Sequence, residues 1–452
     1  MKPFFSEKLK NLNLSSPLYA VGGCVRNALL GLAESADTDL AGDLSVNEMK
    51  AAVLSAGFTV KAEYPRTETL LFADGSGASF EFTSFRRERY APGGGHAPVA
   101  VERTSDLAED ARRRDFTCNA VYYDLARGTW EDPLGGRAAI ERKSLETCRA
   151  PGEVFASDGL RLLRLCRFAA ELGFTPSADT LAGARRYAEN IRDIAAERIY
   201  AELLKILAAP ERYPFSPTDG ALRGLVLCEE IGVFALLFPE LAAGRGMAQR
   251  ADFHAYDVLD HSFRAVLYAP PHIRLAALLH DVGKPACYLE TGRFYGHAER
   301  GARIAEEILT RLKAPRAVCR HTARLTALHM LDLDGKMRES KVRRAIRDNA
   351  DVFWDLMALK QADCAACKDD PSVAPAVARW TEIFGAMKRQ GVPFSPKELA
   401  VNGADLAALG FSGAEVKAEI ERLMDLALAE PAKNAKESLL AQAKEDLCRL
   451  KS

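Results

Sequence analysis

The chain has 452 residues, room for about three domains at ~150 residues each, and its 48% hydrophobic content allows a sizeable core. Lys and Arg (61) almost balance Asp and Glu (62), for a net charge of −1, which excludes a globally basic coat for nucleic acid and leaves only local patches. There is no apolar run long enough to span a bilayer, and MKPFFSEKLKNLNLSS has no signal-peptide pattern, so no membrane contact and a cytoplasmic location are expected.

Tyr19-Ala20-Val21 reads as a buried strand, and Gly22-Gly23 lets the backbone turn tightly and approach a phosphate. A short helix is expected from about Val25 to Leu30. Asp37-Thr38-Asp39-Leu40 then starts a second strand, where residues two apart point to one side. Both carboxylates therefore face one site. Such a pair beside a glycine turn suits a hard divalent ion such as Mg2+, which takes oxygen ligands and shares its sphere with substrate phosphates. The matching chemistry is phosphoryl transfer; the competing reading is two loop acids and an ordinary turn.

Short strands continue at Leu70-Leu71-Phe72, Ser79-Phe80-Glu81-Phe82-Thr83 and Val121-Tyr122-Tyr123, making residues 1 to about 145 a mixed α/β head. Glu81 shares a face with Ser79 and Thr83, and is either a third metal-side carboxylate or a solvent-facing strand acid. After Arg86-Arg87-Glu88-Arg89, the Gly93–Gly95 run is read as a mobile loop able to close over a substrate. Beyond Leu107-Ala108-Glu109-Asp110, the arginines at 112–114 can neutralise triphosphate charge with planar donor forks, and Asp115 can accept from a ribose hydroxyl. A solvated charge run is the alternative.

From Pro151 strand signals nearly vanish, and helices are expected over 155–172, 179–191 and 196–208. Asp158 and Arg161, three apart, meet on one helix face. Cytosine and adenine each show an exocyclic amino donor beside a ring-nitrogen acceptor, whereas guanine and uracil show a carbonyl beside an N–H. A carboxylate next to a guanidinium complements the first pattern and clashes with the second. Such a pair selects CTP and ATP without a nucleic-acid template, and an unpaired buried polar group at about 1–3 kcal/mol rejects the wrong base. A helix-surface salt bridge gives the same two letters.

Seven of the eight histidines fall between 254 and 329. His261, His280-Asp281 within LLHDVGKP, His297, His329 and Asp363 occur in order across a helical region, and a His-Asp pair at one helix end offers two ligands that distant histidines complete. Gly296-His297-Ala298-Glu299 and Arg320-His321 equally suit an outer shell. Ten cysteines spread through the chain fit reduced, mostly buried thiols. Cys364 and Cys367 form the only CxxC, and without a second pair they are not assigned to a metal. GKMRESKVRRAIR (335–347) and 311–324 are basic patches, suited to an RNA backbone or to solvent.

Taken in order, GGCVRN, DTD, RRRDFTCNA, DPLGG, SDGLRLLRLCRFAAELGF and ERIYAELLKIL resemble the class II bacterial tRNA nucleotidyltransferase and poly(A) polymerase family, densely over about 17–210. The resemblance implies an α+β protein: a polymerase-β-like nucleotidyltransferase head with a mixed sheet at 1–148, then a largely all-α remainder. That remainder is a base-reading neck at 149–240, a body at 241–388 and a tRNA-holding tail at 389–452 that carries Val401-Asn402-Gly403-Ala404-Asp405-Leu406. It implies CCA addition to tRNA from CTP and ATP. Asp37 and Asp39 would bind Mg2+; Gly22, Gly23, Arg26, Arg113, Arg114, Asp115 and Asn119 would hold phosphates and ribose; Asp158, Arg161, Arg164 and Arg167 would surround the base. Glu197 and Arg198 match the motif that stabilises the neck helices. The family usually has Asp where Asn27 stands and Glu where Ser157 stands, which weakens the expected orientation of Arg161. The absence near Leu70–Asp74 of the basic signature of poly(A) polymerases favours CCA addition, and the Gly93–Gly95 insertion argues against an enzyme limited to CC. The histidine cluster resembles an HD-family phosphohydrolase domain, with His261, His280, Asp281 and Asp363 as the implied ligands of a second divalent metal.

Overall fold

The computed structural model describes residues 7–32, 37–91, 95 and 98–451, with the backbone alone at Glu7, Lys8 and Asp37. Gly93, Gly94 and His96 of the expected loop lie outside the described residues. The chain forms two compact units, 1–242 with 311–314, and 243–310 with 315–452. Among the described residues no helix is long and apolar enough to cross a membrane.

In the first unit β1 (Tyr19–Val21), β2 (Asp37–Gly42), β3 (Thr59–Tyr64), β4 (Thr69–Ala73), β5 (Ser79–Ser84), β6 (Arg86–Arg89), β7 (Ala100–Arg103), β8 (Tyr122–Asp124) and β9 (Trp130–Glu131) succeed one another. Seven of them make a sheet in the order β3-β4-β5-β2-β1-β8-β9, with β2 and β5 parallel and the other pairs antiparallel. β6 and β7 form a separate ribbon. Strand alternation buries Leu40, Phe72, Phe80 and Phe82 on one face against Val25, Met49 and Val53. The opposite face carries a smaller core, Val21, Ala41, Phe85 and Tyr122, and leaves room for a site.

Two expected helices differ in outline. The one beginning after the diglycine spans Gly23–Leu29, because Gly22 takes the N-cap with φ 81° and Gly23 is already helical. The helix expected over 155–172 is broken: Pro151–Ser157 ends, Asp158 is extended (φ −154°, ψ 105°), and Leu160–Leu172 begins anew. At the break a Cβ on Gly159 would lie 2.2 Å from the Asn190 carbonyl oxygen, so this backbone approach permits only glycine. Asp158 is thus off the helix, its Oδ1 accepting from Leu160 N at 2.9 Å, and the shared helix face expected for Asp158 and Arg161 does not exist.

In the second unit Val258–Tyr268 packs along Phe353–Lys368, with Arg274–Leu279 between them and Arg316–Leu328. The C-terminal helices gather around Leu406, Phe411, Leu423 and Leu439. Asn402 there is a helix cap: its Oδ1 accepts from Ala404 N and Asp405 N, and Asp405 accepts from Asn402 N. That gives the Val401–Leu406 motif a local structural reason. The basic helix begins at Glu339, and Arg343 and Arg347 are already bonded to the Leu428 carbonyl and Asp425, leaving a smaller patch than 335–347 suggests.

Candidate active site

Parallel pairing of β2 with β5 sets position 37 opposite Ser79 and Asp39 opposite Glu81. Positions 37, 39 and 81 therefore lie on one face of the sheet, while Thr38 and Leu40 are buried on the other. The Asp37 side chain is outside the described residues. Partial loss of hydration and the neighbouring Asp39 carboxylate push the Glu81 carboxyl above its ordinary range. An all-oxygen, mutually repelling donor set of this kind fits a hard divalent cation.

A cavity of about 910 Å³ opens on this face. Its wall holds Gly22, Gly23, Arg26 and Asp39, then Arg113, Arg114, Asp115 and Asn119, then Asp158, Arg161, Arg164 and Arg167; Glu81 does not line it. Nine arginines face four carboxylates, Asp39, Glu88, Asp115 and Asp158. That excess of guanidinium suits a polyanionic ligand.

Two acids, the buried Asp110 and the half-buried Glu88, hold the arginines in place. Asp110, fully buried at the end of Leu107–Arg112, accepts from Arg113 Nε (2.7 Å), Arg114 Nη2 (3.1 Å) and Tyr122 Oη (2.6 Å). Glu88 accepts from Arg86 Nε (2.8 Å) and Tyr90 Oη (2.6 Å), with Arg113 Nη1 3.4 Å away. The Asp110 spacing to Arg113 and Arg114, i to i+3 and i+4, was the available signal. Asp115 departs from the expected ribose acceptor. Its Oδ1 accepts from Phe116 N and Asn119 Nδ2 and its Oδ2 from two nitrogens of Arg164. These use the roughly four lone-pair sites a carboxylate has, so Asp115 positions Arg164 and Asn119 instead.

Arg161 lies 3.9 Å (Nε to Oδ2) from Asp158. Its Nη1 donates to Ser157 Oγ at 3.2 Å and its Nη2 to the Arg113 carbonyl at 2.8 Å. Arg167 is paired with buried Glu202 at 2.8 Å and stands over the Phe168 ring at 4.3 Å. Arg26 donates to Asn119 Oδ1 at 2.7 Å and to Asn27 Oδ1 at 2.9 Å.

The second unit contains a buried cluster of histidines and acids. His280, His297 and His329 each donate Nδ1–H to a carbonyl, those of Ala277, Phe294 and Thr326, at 2.7, 2.7 and 2.6 Å. A carbonyl only accepts, so each ring turns a bare Nε2 inward, the arrangement that orients metal-binding histidines. Asp281 Oδ2 faces His261 and His280 at 3.5 and 3.2 Å, while its Oδ1 faces His297 and His329 at 3.3 and 3.5 Å. Asp363 Oδ1 stands 3.0 Å from His261 Nε2 and 3.5 Å from His280 Nε2. Lys284 Nζ, itself buried, already meets Asp281 Oδ2 at 2.5 Å, and the remaining inward lone pairs and carboxylate oxygens suit a metal cation. Burial opposes charge on His280, yet the Asp281 and Asp363 carboxylates beside it push its imidazole above the ordinary range, the mark of a nitrogen set against anionic oxygens. His297 and His329 thus belong to the cluster, whereas His321 pairs with Asp355 at 3.0 Å.

Residues 18–146 match the family model described as Poly A polymerase head domain, 173–244 that of the probable RNA and SrmB-binding site of polymerase A, and 258–353 the HD domain. The A-adding tRNA nucleotidyltransferase of Deinococcus radiodurans is 32% identical over 340 residues, 71% of this chain and 74% of the relative. The multifunctional CCA protein of Chromobacterium violaceum is 34% identical over 364 residues, 78% of this chain and 80% of the relative. The chain belongs to the tRNA nucleotidyltransferase and poly(A) polymerase family. Its fold is shared with the Bacillus stearothermophilus CCA-adding enzyme solved with CTP, with a TM-score of 0.67 at 23% identity, covering 97% of this chain and 95% of the other. Asp363 lies beyond the matched HD segment, which ends at 353.

The two departures from the tRNA nucleotidyltransferase pattern have local explanations. Asn27 accepts from Arg26, a contact that needs no charge. Ser157 Oγ accepts from Arg161 and donates to the Val154 carbonyl, so a hydroxyl orients the guanidinium. Glu197 is exposed and pairs with Lys313 at 2.7 Å; the buried glutamates of the neck helices are Glu171 and Glu202. Gly22→Ala is expected to disable the turn, since an added Cβ would stand 2.7 Å from Asp39 Oδ2 at a φ of 81°, a backbone conformation costing roughly 1–2 kcal/mol. Nucleotide incorporation should fall at least ~10-fold more than this stability loss explains, as measured by initial rate beside urea unfolding.

Proposed function

We propose that this chain adds CMP, CMP and AMP in turn to the 3′ end of tRNA, using CTP and ATP, releasing pyrophosphate and using no nucleic-acid template. The reading is carried by one juxtaposition: the Asp39 carboxylate and the Asp158–Arg161 pair face the same arginine-rich cavity. Asp37 and Asp39 hold Mg2+, with Glu81 behind Asp39, and the metal supplies activation of the terminal hydroxyl and charge stabilisation at the leaving phosphate. Arg26, Arg113 and Arg114 with the Gly22-Gly23 turn bind the triphosphate. Asp158 and Arg161 read the base edge, Asp115 and Asn119 position Arg164 and Arg26, and Arg167 ties the base-reading helix to Glu202. The domain reading is head 1–148, neck 149–240, HD-type body 241–388 and tail 389–452, and the compartment is the cytoplasm.

The relatives include both an A-adding enzyme and multifunctional CCA proteins, so the decisive experiment is product sequence. Given tRNA lacking its end, the purified protein should add CC with CTP alone and CCA with CTP and ATP. Addition of A only to a tRNA already ending in CC would replace this reading with the A-adding one.

The inward Nε2 atoms favour a second activity, metal-dependent phosphohydrolysis in the HD-type body, with His261, His280, Asp281 and Asp363 around one ion and His297 and His329 on the other Asp281 oxygen. Hydrolysis of a 2′,3′-cyclic phosphate should disappear in His280→Ala and Asp281→Ala while nucleotide addition persists. Cyclic-phosphate hydrolysis unaffected by both substitutions would dismiss that second activity.

A further inference from the structure

His261 differs from its neighbours in the cluster. Its Nε2 is turned to His280 and Asp363 at 3.2 and 3.0 Å, yet its Nδ1 has no carbonyl to hold it. The residue is fully buried, and Nδ1 has no hydrogen-bond partner in the protein. A buried imidazole nitrogen without a partner is costly. Beside His261 lies His254, whose ring meets the His261 ring edge-on at 5.0 Å between centroids and whose Nδ1 is likewise buried and unpartnered. Cys367 completes the group: one ligand atom from each of His254, His261 and Cys367 falls within 4.8 Å of the others.

We propose that His254, His261 through Nδ1, and Cys367 form a separate site for a thiophilic ion of the Zn2+ class, with the His261 ring shared between this site and the carboxylate centre. Two imidazoles and a thiolate are the donors such ions prefer, whereas the oxygen-rich centre on Asp281 and Asp363 has no sulfur. The frame is already built. Ala255 N donates to the Cys367 carbonyl at 2.8 Å, and Lys368 Nζ donates to the Asp252 carbonyl at 2.7 Å, so the turn carrying His254 is fastened to the end of Phe353–Lys368. His261 projects from the adjoining Val258–Tyr268 helix. The Cys367 thiol donates to the Asp363 carbonyl at 3.4 Å; on binding, its proton passes to solvent as the sulfur–metal bond forms. Cys364 lines the same cavity but does not belong to the three-ligand group.

The proposal rests on the reading of the carboxylate cluster only for what occupies His261 Nε2, and cobalt separates the two. Full-length reduced protein, stripped of metal, is titrated with Co2+ and followed by absorption and by bound cobalt. A near-ultraviolet thiolate-to-cobalt charge-transfer band is expected. Cys367→Ser should abolish it with loss of one equivalent of cobalt, His254→Ala should weaken it at least tenfold in cobalt affinity, and Cys364→Ser should leave it intact. Asp363→Asn should lose cobalt from the carboxylate centre while keeping the band; full cobalt binding in that variant would count against the carboxylate centre alone. No thiolate band in the wild type, or a band that survives Cys367→Ser, overturns the proposal. Circular dichroism of each variant shows whether it is folded, and His254→Ala, on a turn outside the helices, supplies the result if Cys367→Ser is not.

Discussion

Asp39→Ala is expected to reduce CMP and AMP incorporation by about 10³-fold or more, with little change in thermal stability. Asp39 stands exposed in the cleft on an edge of the site rather than in the core, so the fold does not depend on its burial. Its loss removes one of the carboxylates proposed to hold the metal; several kcal/mol of transition-state charge stabilisation go with it, and ~4 kcal/mol is about a thousandfold in rate. A second readout is independent of turnover. The Glu81 carboxyl, raised by loss of hydration and by the Asp39 charge, should titrate at lower pH in the variant, measurable by side-chain carboxyl NMR. Near-normal incorporation by Asp39→Ala would remove Asp39 from the reaction, whatever the family pattern says.

The second large effect is on stability, at a residue that touches no proposed substrate atom. Asp110→Ala strands the guanidinium groups of Arg113 and Arg114 beside an empty acid position, since both donate to it from largely buried positions. Breaking a buried pair by removing one partner costs about 3–5 kcal/mol, to be read as a lower urea midpoint at pH 7. The pH dependence follows from the same geometry. Burial works to raise the Asp110 carboxyl, but Arg113, Arg114 and Tyr122 outweigh it and hold it down to about 2. An unfolded aspartate titrates near ~3.9. The folded form is therefore favoured by the ionised carboxylate above ~3.9, and this contribution, on the order of 2–3 kcal/mol, is lost as pH falls through about 2. Asp110→Asn, which keeps the shape without the charge, should flatten the acid side of the stability profile. An unchanged profile would mean that the arginine cluster is held by something other than Asp110.

Much of the chemistry was legible without coordinates because it is local. Strand period alone places positions 37 and 39 on one face, Gly22 announces its turn, and the His280-Asp281 dipeptide marks its own cluster. Each of these depends on residues within a few positions of one another, where backbone geometry leaves few choices. The break at Asp158-Gly159 was not legible, because the close approach that makes Gly159 obligatory comes from the Asn190 carbonyl some thirty residues on. Nor was the commitment of Asp115 to Arg164, 49 residues away, which takes the acceptor sites a ribose hydroxyl would need.

What the amino-acid order determined by itself, then, was the kind of chemistry: carboxylates in strand register beside a glycine turn, an acid and an arginine able to match an amino-bearing base edge, and a histidine-rich body. Only the tertiary structure decided how each charged group is used. It gave Arg113 and Arg114 to Asp110, set Ser157 to orient Arg161, turned three Nε2 atoms inward through Ala277, Phe294 and Thr326, and brought His261 beside His254 and Cys367. The reason is that a side chain's partner is chosen by distance in space and by the cost of leaving a buried polar atom unmatched, and neither quantity is a property of neighbouring letters.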